Sequence, residues 1–250
     1  TLKQDGLFNS RIKIGDSFAH DSTVNYYDGS FYITAVANSI DRGDSESSAN
    51  ARTVLYKVTP SGAYIENDYS QNATVIAKHG DSIDTYEVEN GAGNPNAVLI
   101  NGVVRSIFLV TINDIRQSCY RDYNCNDGTL GTPRPLTLDG GTFAGWINGG
   151  IAYDGSTYYG AMCRKANALH GSVLIKSSDC INWETIRILD EDNAQYEVAT
   201  AYYSDKLYTA TRVLTGLKVR ELTPTGEELR TWEINCSNSR PAFFVYHDKL

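Results

Sequence analysis

Glu197 and Arg212 flank the dipeptide Ser204-Asp205 at equal distances, so a hairpin closed at 203 and 206 sets them opposite one another. A carboxylate beside a guanidinium stays ionised at neutral pH, and such a pair can serve simply to close a hairpin. Arg240, at the position equivalent to Glu197 in the next segment, adds a second guanidinium and leaves net positive charge. A guanidinium fork matches a ligand carboxylate with two parallel hydrogen bonds. The chemistry expected is recognition of an anionic ligand beside a proton-accepting glutamate. The same aligned position elsewhere holds Asp21, Asn94 and Ile147. Most of this set is polar where first strands are otherwise apolar, which is costly unless the groups are paired or used. A ring of mutually satisfied charges is the structural alternative. His20 and Trp146, one place earlier, would line the same ligand.

Five segments carry these residues and align without a gap: 20–29, 93–102, 146–155, 196–205 and 239–248. Each is an apolar-leaning run ending in a turn dipeptide: Asp28-Gly29, Asn101-Gly102, Asp154-Gly155, Ser204-Asp205 and His247-Asp248. Asp-Gly and Asn-Gly favour two-residue hairpins because both central residues need positive φ. A Tyr-, Phe-, Ile- and Thr-rich run follows the first four turns, so each unit opens with a hairpin. Thr59-Pro60-Ser61-Gly62, Ser177-Ser178-Asp179-Cys180 and Thr223-Pro224-Thr225-Gly226 mark a second hairpin in three units. The segment 63–93 is long and polar and is expected to hold an outer strand plus an excursion. The repeat length, roughly 45 to 75 residues, is that of propeller blades with one enlarged unit. No helix-length apolar period appears. The fold expected is all-β: a β-propeller of four-stranded antiparallel blades, five or six in number, spanning 1–250 as one domain. The fifth segment reaches Leu250 just after its first turn, which predicts an incomplete last blade that further residues or a partner chain, in a homo-oligomer for instance, would complete. Residues 1–14 could add a strand to that blade.

Two hundred and fifty residues bury enough surface to fold without staples. A formal charge of −8 with no basic run argues against a nucleic-acid partner, although an acidic body can carry a cationic pocket. No apolar stretch is long enough for a transmembrane helix, and Thr1 begins no signal-peptide pattern. Among the five cysteines, Cys119 and Cys125 are near enough for a local disulfide, with buried thiols as the alternative. The scattered histidines show no zinc-ligand spacing, and no cofactor is expected. The run Asp122–Gly128 has the composition of a calcium loop, but its glycine is one place late and Pro133 stands where the bidentate glutamate belongs. An ordinary polar loop is the better reading. Asn72-Ala73-Thr74 and Asn235-Cys236-Ser237 are glycosylation sequons.

At Tyr196-Glu197-Val198 through Thr211-Arg212 the chain resembles the sialidase superfamily, whose propellers have a blade that opens with Glu and ends its second strand in Arg. Two further stretches are similar: Gly150-Ile151-Ala152-Tyr153-Asp154-Gly155, and an Asp-box (BNR repeat) at Ser177-Ser178-Asp179-Cys180-Ile181-Asn182-Trp183. Gly93-Asn94-Pro95 fits the blade before. The resemblance implies a glycoside hydrolase in which Glu197 activates a tyrosine nucleophile and Arg212 and Arg240 hold the sialic acid carboxylate. Asp44, with Asp41 as competitor, stands where the family has its acid/base aspartate. Three departures accompany it. His20-Asp21 replaces the first-blade arginine, for which Arg11 lies too far upstream. Tyr246 is the tyrosine after Arg240, near the far end of its strand. Cys180 takes the Asp-box glycine position. Phage endosialidases are similar in using fewer of these groups.

A second reading resembles five-bladed arabinan or xylan glycosidases, with Asp21 and Glu197 as the carboxylates of an inverting pair. Ile147 stands where that family has another aspartate, and Arg240 has no task on a neutral substrate. A third is a glycan-binding or scaffold propeller, which seventeen tyrosines would suit. Both glycosidase readings and the glycan-binding one place a glycan as partner. An extracellular, cell-surface or virion-associated location goes with that substrate.

Overall fold

The computed structural model describes residues 20–38, 51–58, 73–89, 91–166, 169–190, 197–213, 216–236 and 241–243, with backbone alone at a few strand positions including His20 and Asp21. Every regular element among them is a strand. The first sheet is β1 (His20–Tyr27), β2 (Ser30–Asn38), β3 (Ala51–Val58) and β4 (Thr74–Ala77), paired in sequence order. A small hairpin, β5 (Ser82–Ile83) and β6 (Tyr86–Glu87), follows as the excursion expected in the enlarged unit. The second sheet is β7 (Gly93–Ile100), β8 (Val103–Ile112), β9 (Ile115–Asn124) and β10 (Arg134–Pro135). A hairpin of β11 (Thr137–Leu138) and β12 (Gly141–Thr142) then joins the third sheet, β13 (Trp146–Tyr153), β14 (Tyr158–Ala166), β15 (Leu169–Ser177) and β16 (Asn182–Asp190). The fourth is β17 (Val198–Tyr203), β18 (Lys206–Val213), β19 (Gly216–Leu222) and β20 (Glu228–Asn235).

Turn chemistry accounts for the registers. Asp28 and Gly29 (φ 45° and 74°), Asn101 and Gly102 (49° and 79°), and Ser204 and Asp205 (52° and 60°) all take the left-handed conformation. The strands accordingly close at Tyr27 opposite Ser30 and at Tyr203 opposite Lys206. Asp154-Gly155 differs. The third hairpin closes at Tyr153 opposite Tyr158, across a four-residue loop. The Asp154 carboxylate organises it, accepting hydrogen bonds from the backbone N–H groups of Ser156 and Thr157, both 2.8 Å, and from the hydroxyl of Tyr159, 2.9 Å. Thr223-Pro224-Thr225-Gly226 links β19 to β20, with Gly226 at φ 88° and its N–H bonded to the Thr223 carbonyl at 2.9 Å.

Central strands are buried on both faces, which is why β2 and β3 read as nearly continuous apolar runs instead of alternating ones. The last strand, β20, is exposed along its whole length. The edge of β16 is covered by β11, which pairs with it in parallel at Thr137–Asn182 and Leu138–Trp183. Asp139 pins that addition, accepting the Thr185 N–H at 2.9 Å and its hydroxyl at 2.7 Å. Covering an edge in this way removes a template for unwanted pairing.

The chain falls into two compact units, Thr1–Ser106 with Arg121–Pro133, and Ile107–Tyr120 with Arg134–Leu250, so that β8 and β9 contribute to both. In the first unit Ile33, Ala35, Ala37, Val54, Tyr56 and Val58 form the core. Tyr32 donates to the Cys125 carbonyl at 3.4 Å, and burial pushes its phenol up to about 12. All five cysteines are thiols, Cys119 and Cys125 both buried. The run that had the composition of a calcium loop is a self-satisfied turn: Asp127 accepts from the Thr129 hydroxyl and N–H at 2.7 and 2.9 Å, and from the Asn124 amide at 3.2 Å. Those bonds, the Thr129 hydroxyl first, hold the Asp127 carboxyl below its usual range.

Candidate functional site

The β17–β18 hairpin has an unbroken register from Tyr203–Lys206 out to Val198–Thr211. One step further the Arg212 N–H bonds the Glu197 carbonyl at 2.8 Å. Glu197 and Arg212 are therefore the cross-strand partners that the turn at 204–205 predicts, both half-buried at the open end of the hairpin. Behind them the molecule is apolar. Val198 and Ala199 are buried, and Val198 belongs to the core cluster of the second unit with Trp146, Tyr159, Cys163, Leu174, Leu189, Leu207 and Leu222. The Cys163 thiol is driven up by burial and, after that, by the charge of Glu197. Glu197 thus acts electrostatically on a residue in the core of β14, and a low-dielectric backing strengthens any charge it presents.

Two glycines let β13 serve as the neighbouring wall. Between Ile147–Met162 and Ile151–Gly160 the β13 strand has two residues more than β14, a bulge centred on Gly149 (φ 64°) and Gly150 (φ 102°). A Cβ on Gly149 would run into the Val198 carbonyl oxygen and lie 2.7 Å from the Ala199 Cα. That close approach brings β17 against β13. Gly145 is equally constrained: its φ is 151°, and a Cβ there would stand 2.5 Å from both the Cys163 carbonyl oxygen and the Met162 methyl. Ile147, at the position aligned with Glu197, is buried opposite Met162 and is a core residue. Trp146 pairs with Cys163 and is 3 % exposed.

Beneath β18 lies a buried ion network that sequence reading passes over. Arg220, 1 % exposed, donates to Asp190 at 2.6 Å, to the Leu189 carbonyl at 3.1 Å and to the Thr211 hydroxyl at 3.3 Å, with Glu228 at 3.7 Å. Ser172 donates to the other Asp190 oxygen at 3.0 Å. Thr211 immediately precedes Arg212, so the network fixes the strand that presents it. A lone arginine on a strand gives no sequence signal of burial; Asp190 and Glu228 are too distant in sequence to mark the pairing.

The Ser177–Trp183 stretch is a tight turn between β15 and β16. Ser177 donates to Asp179 at 2.9 Å and accepts the Cys180 N–H at 2.9 Å. Asp179 takes the N–H groups of Ile181 and Asn182, both 2.8 Å, and the Asn182 amide at 2.7 Å. Burial opposes the Asp179 charge, but the Asn182, Ile181 and Ser177 hydrogen bonds outweigh it and bring the carboxyl down to about 2. Cys180 has φ 59°, the conformation a glycine favours, and Trp183 is buried.

Of the other sequence candidates, Asn94 lies in the first unit, half-buried with φ 44° ahead of Pro95. His20 and Asp21 begin β1 beside a register shift between His20 and Thr23; their side chains lie outside the described residues. Arg240, Asp44, Asp41, Arg11 and Tyr246 lie outside the described residues altogether. The structure adds one feature: a cleft of about 370 Å³ lined by Asp114, Ile115, Arg116, Ala144, Gly145 and Trp146. Asn113 and Asp114, at φ 50° and 61°, are the two-residue turn between β8 and β9. That Asn-Asp dipeptide between two apolar runs is the signal that would have found it. No helix among the described residues is long and apolar enough to cross a membrane.

The sequence matches no family model and no curated protein. Solved structures do resemble it. A glycosyl hydrolase from Bacteroides ovatus is 10 % identical with a TM-score of 0.56, covering 85 % of this chain and 69 % of its own. A family 117 glycoside hydrolase from the marine bacterium Zobellia galactanivorans is 9 % identical with a TM-score of 0.58, covering 84 % and 68 %. The Trypanosoma rangeli sialidase, in complex with 2,3-difluorosialic acid as covalent intermediate, is 14 % identical with a TM-score of 0.56; the match covers 88 % of this chain and 40 % of that one. With the four meander sheets, these likenesses define the fold as a β-propeller of four-stranded antiparallel blades.

Proposed function

We propose that this chain is a glycoside hydrolase of the sialidase type, acting on sialylated or otherwise anionic glycans with Glu197 and Arg212 at its centre. The observation that carries the reading is the backbone pairing of these two residues at the open end of β17–β18, over a dry core. Arg212, joined by Arg240, would bind the ligand carboxylate. Glu197 would take the proton of the attacking nucleophile, a tyrosine as in the sialidases or a water. The bond from the anomeric carbon to the leaving oxygen breaks as the nucleophile's bond forms, and an acid, Asp44 or Asp21, gives that oxygen its proton. His20 and Asn94 are the remaining sequence-based candidates for contacts to that sugar. A surface or extracellular location follows from such a substrate.

A second glycosidase reading rests on the same fold likeness, which includes the family 117 hydrolase as well as the sialidase. Under that reading Asp21 and Glu197 form an inverting pair on a neutral glycan such as an arabinan or xylan. A substrate panel separates the two. Turnover of a fluorogenic sialoside or of polysialic acid, with KM raised at least about tenfold in Arg212→Ala, supports the first. Release of arabinose or xylose that stops in Asp21→Asn replaces it with the second. Sialoglycan binding without turnover, kept in Glu197→Gln and lost in Arg212→Ala, makes the propeller a lectin.

A further inference from the structure

The cleft beside Trp146 has walls of complementary chemistry. Asp114 and Arg116 are exposed on the β8–β9 hairpin, Ile115 between them is 47 % exposed, and the Arg116 guanidinium lies 5.9 Å from the centre of the Trp146 ring. The floor is rigid. Gly145 has no room for a side chain, and its carbonyl accepts the Ser118 hydroxyl at 2.8 Å. The Arg116 guanidinium is within cation–π reach of the indole.

A carboxylate only accepts hydrogen bonds and a guanidinium only donates them. Adjacent sugar hydroxyls do both, so a diol meets both walls at once. An anion gains from Arg116 what it loses to Asp114, and a cation the reverse. The exposed Ile115 side chain offers apolar contact for the C–H face of a ring. A volume of about 370 Å³ is at the small end of ligand pockets, suited to one or two rings. Position ties the cleft to Glu197: Trp146 opens β13, and β13 packs against β17, whose first residue follows Glu197.

We propose that this cleft is a subsite for a neutral hexose, in which Asp114 and Arg116 take a pair of adjacent hydroxyls and Ile115 meets the ring face, with the buried Trp146 behind Arg116 as the floor. Its place next to the hydrolysed sugar rests on the glycosidase reading of Glu197; the binding itself does not.

Three tryptophans, Trp146, Trp183 and Trp232, give three indole N–H signals in a nitrogen-proton spectrum of the full chain, the first assigned with Trp146→Phe. Lactose, cellobiose and mannobiose are titrated separately, with N-acetylneuraminic acid as the anionic comparison. At least one neutral disaccharide shifts the Trp146 signal with millimolar affinity. Asp114→Asn and Arg116→Ala, both with native-like spectra, each weaken it at least about tenfold. Glu197→Gln leaves it unchanged. The proposal is overturned if no neutral disaccharide moves that signal, if the two variants bind as the parent does, or if the sugar acid binds there more tightly. Hydrolysis is scored separately. Sugar binding with no turnover removes the reading of Glu197 and keeps the subsite; turnover abolished by Glu197→Gln without sugar binding does the opposite.

Discussion

The hairpins β13–β14 and β17–β18 occupy the same place in consecutive blades and are built to opposite ends. In β17–β18 the register runs unbroken to Glu197 and Arg212, and the second aligned position is a half-buried charge. In β13–β14 that position is Ile147, sealed against Met162, and the strand bulges two residues later at Gly149. The bulge lets the backbone of β17 approach, while the core behind supplies an apolar backing to Glu197. One hairpin presents a pair of charged residues; the other has a core residue at the equivalent position. Repetition of a fold element therefore repeats geometry, and each copy carries its own task.

That contrast is most severely broken at Gly149. Replacing it with alanine forces a Cβ against the Val198 carbonyl and a left-handed φ on a non-glycine residue, at a combined cost of about 3 kcal/mol or more in urea unfolding. Gly155, in the loop of the same hairpin, has open space around its Cβ and makes the control, its substitution costing only the backbone strain. The next largest effect is at Arg220. Arg220→Met leaves the part-buried Asp190 without its guanidinium and should cost about 3 kcal/mol; adding Asp190→Asn should recover part of that, because the stranded charge is gone. A variant with Arg220→Met as stable as the parent would mean that β18 is held by something else.

Smaller effects test the turns. Asp179→Ala removes the acceptor of four hydrogen bonds and should cost about 1 kcal/mol, as the loss of a capping carboxylate does. Because its folded carboxyl lies near 2, below the ordinary 3.8, its contribution is complete above about pH 4 and disappears as pH falls toward 2. Acid titration of stability should therefore be steeper in the parent than in Asp179→Asn across that window. The smallest change is expected at Thr209, whose buried hydroxyl has no hydrogen-bond partner among the described residues. Thr209→Val should be neutral or raise the melting temperature slightly, since it removes an unsatisfied group.

Much of this was legible because turn residues announce themselves. Asp28-Gly29, Asn101-Gly102 and Ser204-Asp205 fix φ, φ fixes the loop length, and loop length fixes which residues face each other. The pairing of Glu197 with Arg212 follows from that chain alone. Asp154-Gly155 misleads because the aspartate's carboxylate, invisible to a dipeptide rule, gathers two backbone N–H groups and widens the loop. The two-residue strands β11 and β12 are too short to show any period. The cleft escapes for another reason: Asp114 and Arg116 reach Trp146 only through the folded sheet, and Arg220 reads as a solvated charge until Asp190 and Glu228 are folded against it.

The central claim is that Glu197 is the reacting carboxylate of a glycoside hydrolase, and the rate of glycoside hydrolysis by the full chain and by Glu197→Gln tests it most directly. The substitution keeps size and backbone pairing and removes only the charge. A sialoside turned over by the parent and slowed about 100-fold or more in the variant, with unfolding stability unchanged, is the result predicted. Equal rates in the two proteins, on a substrate the parent does hydrolyse, would contradict it.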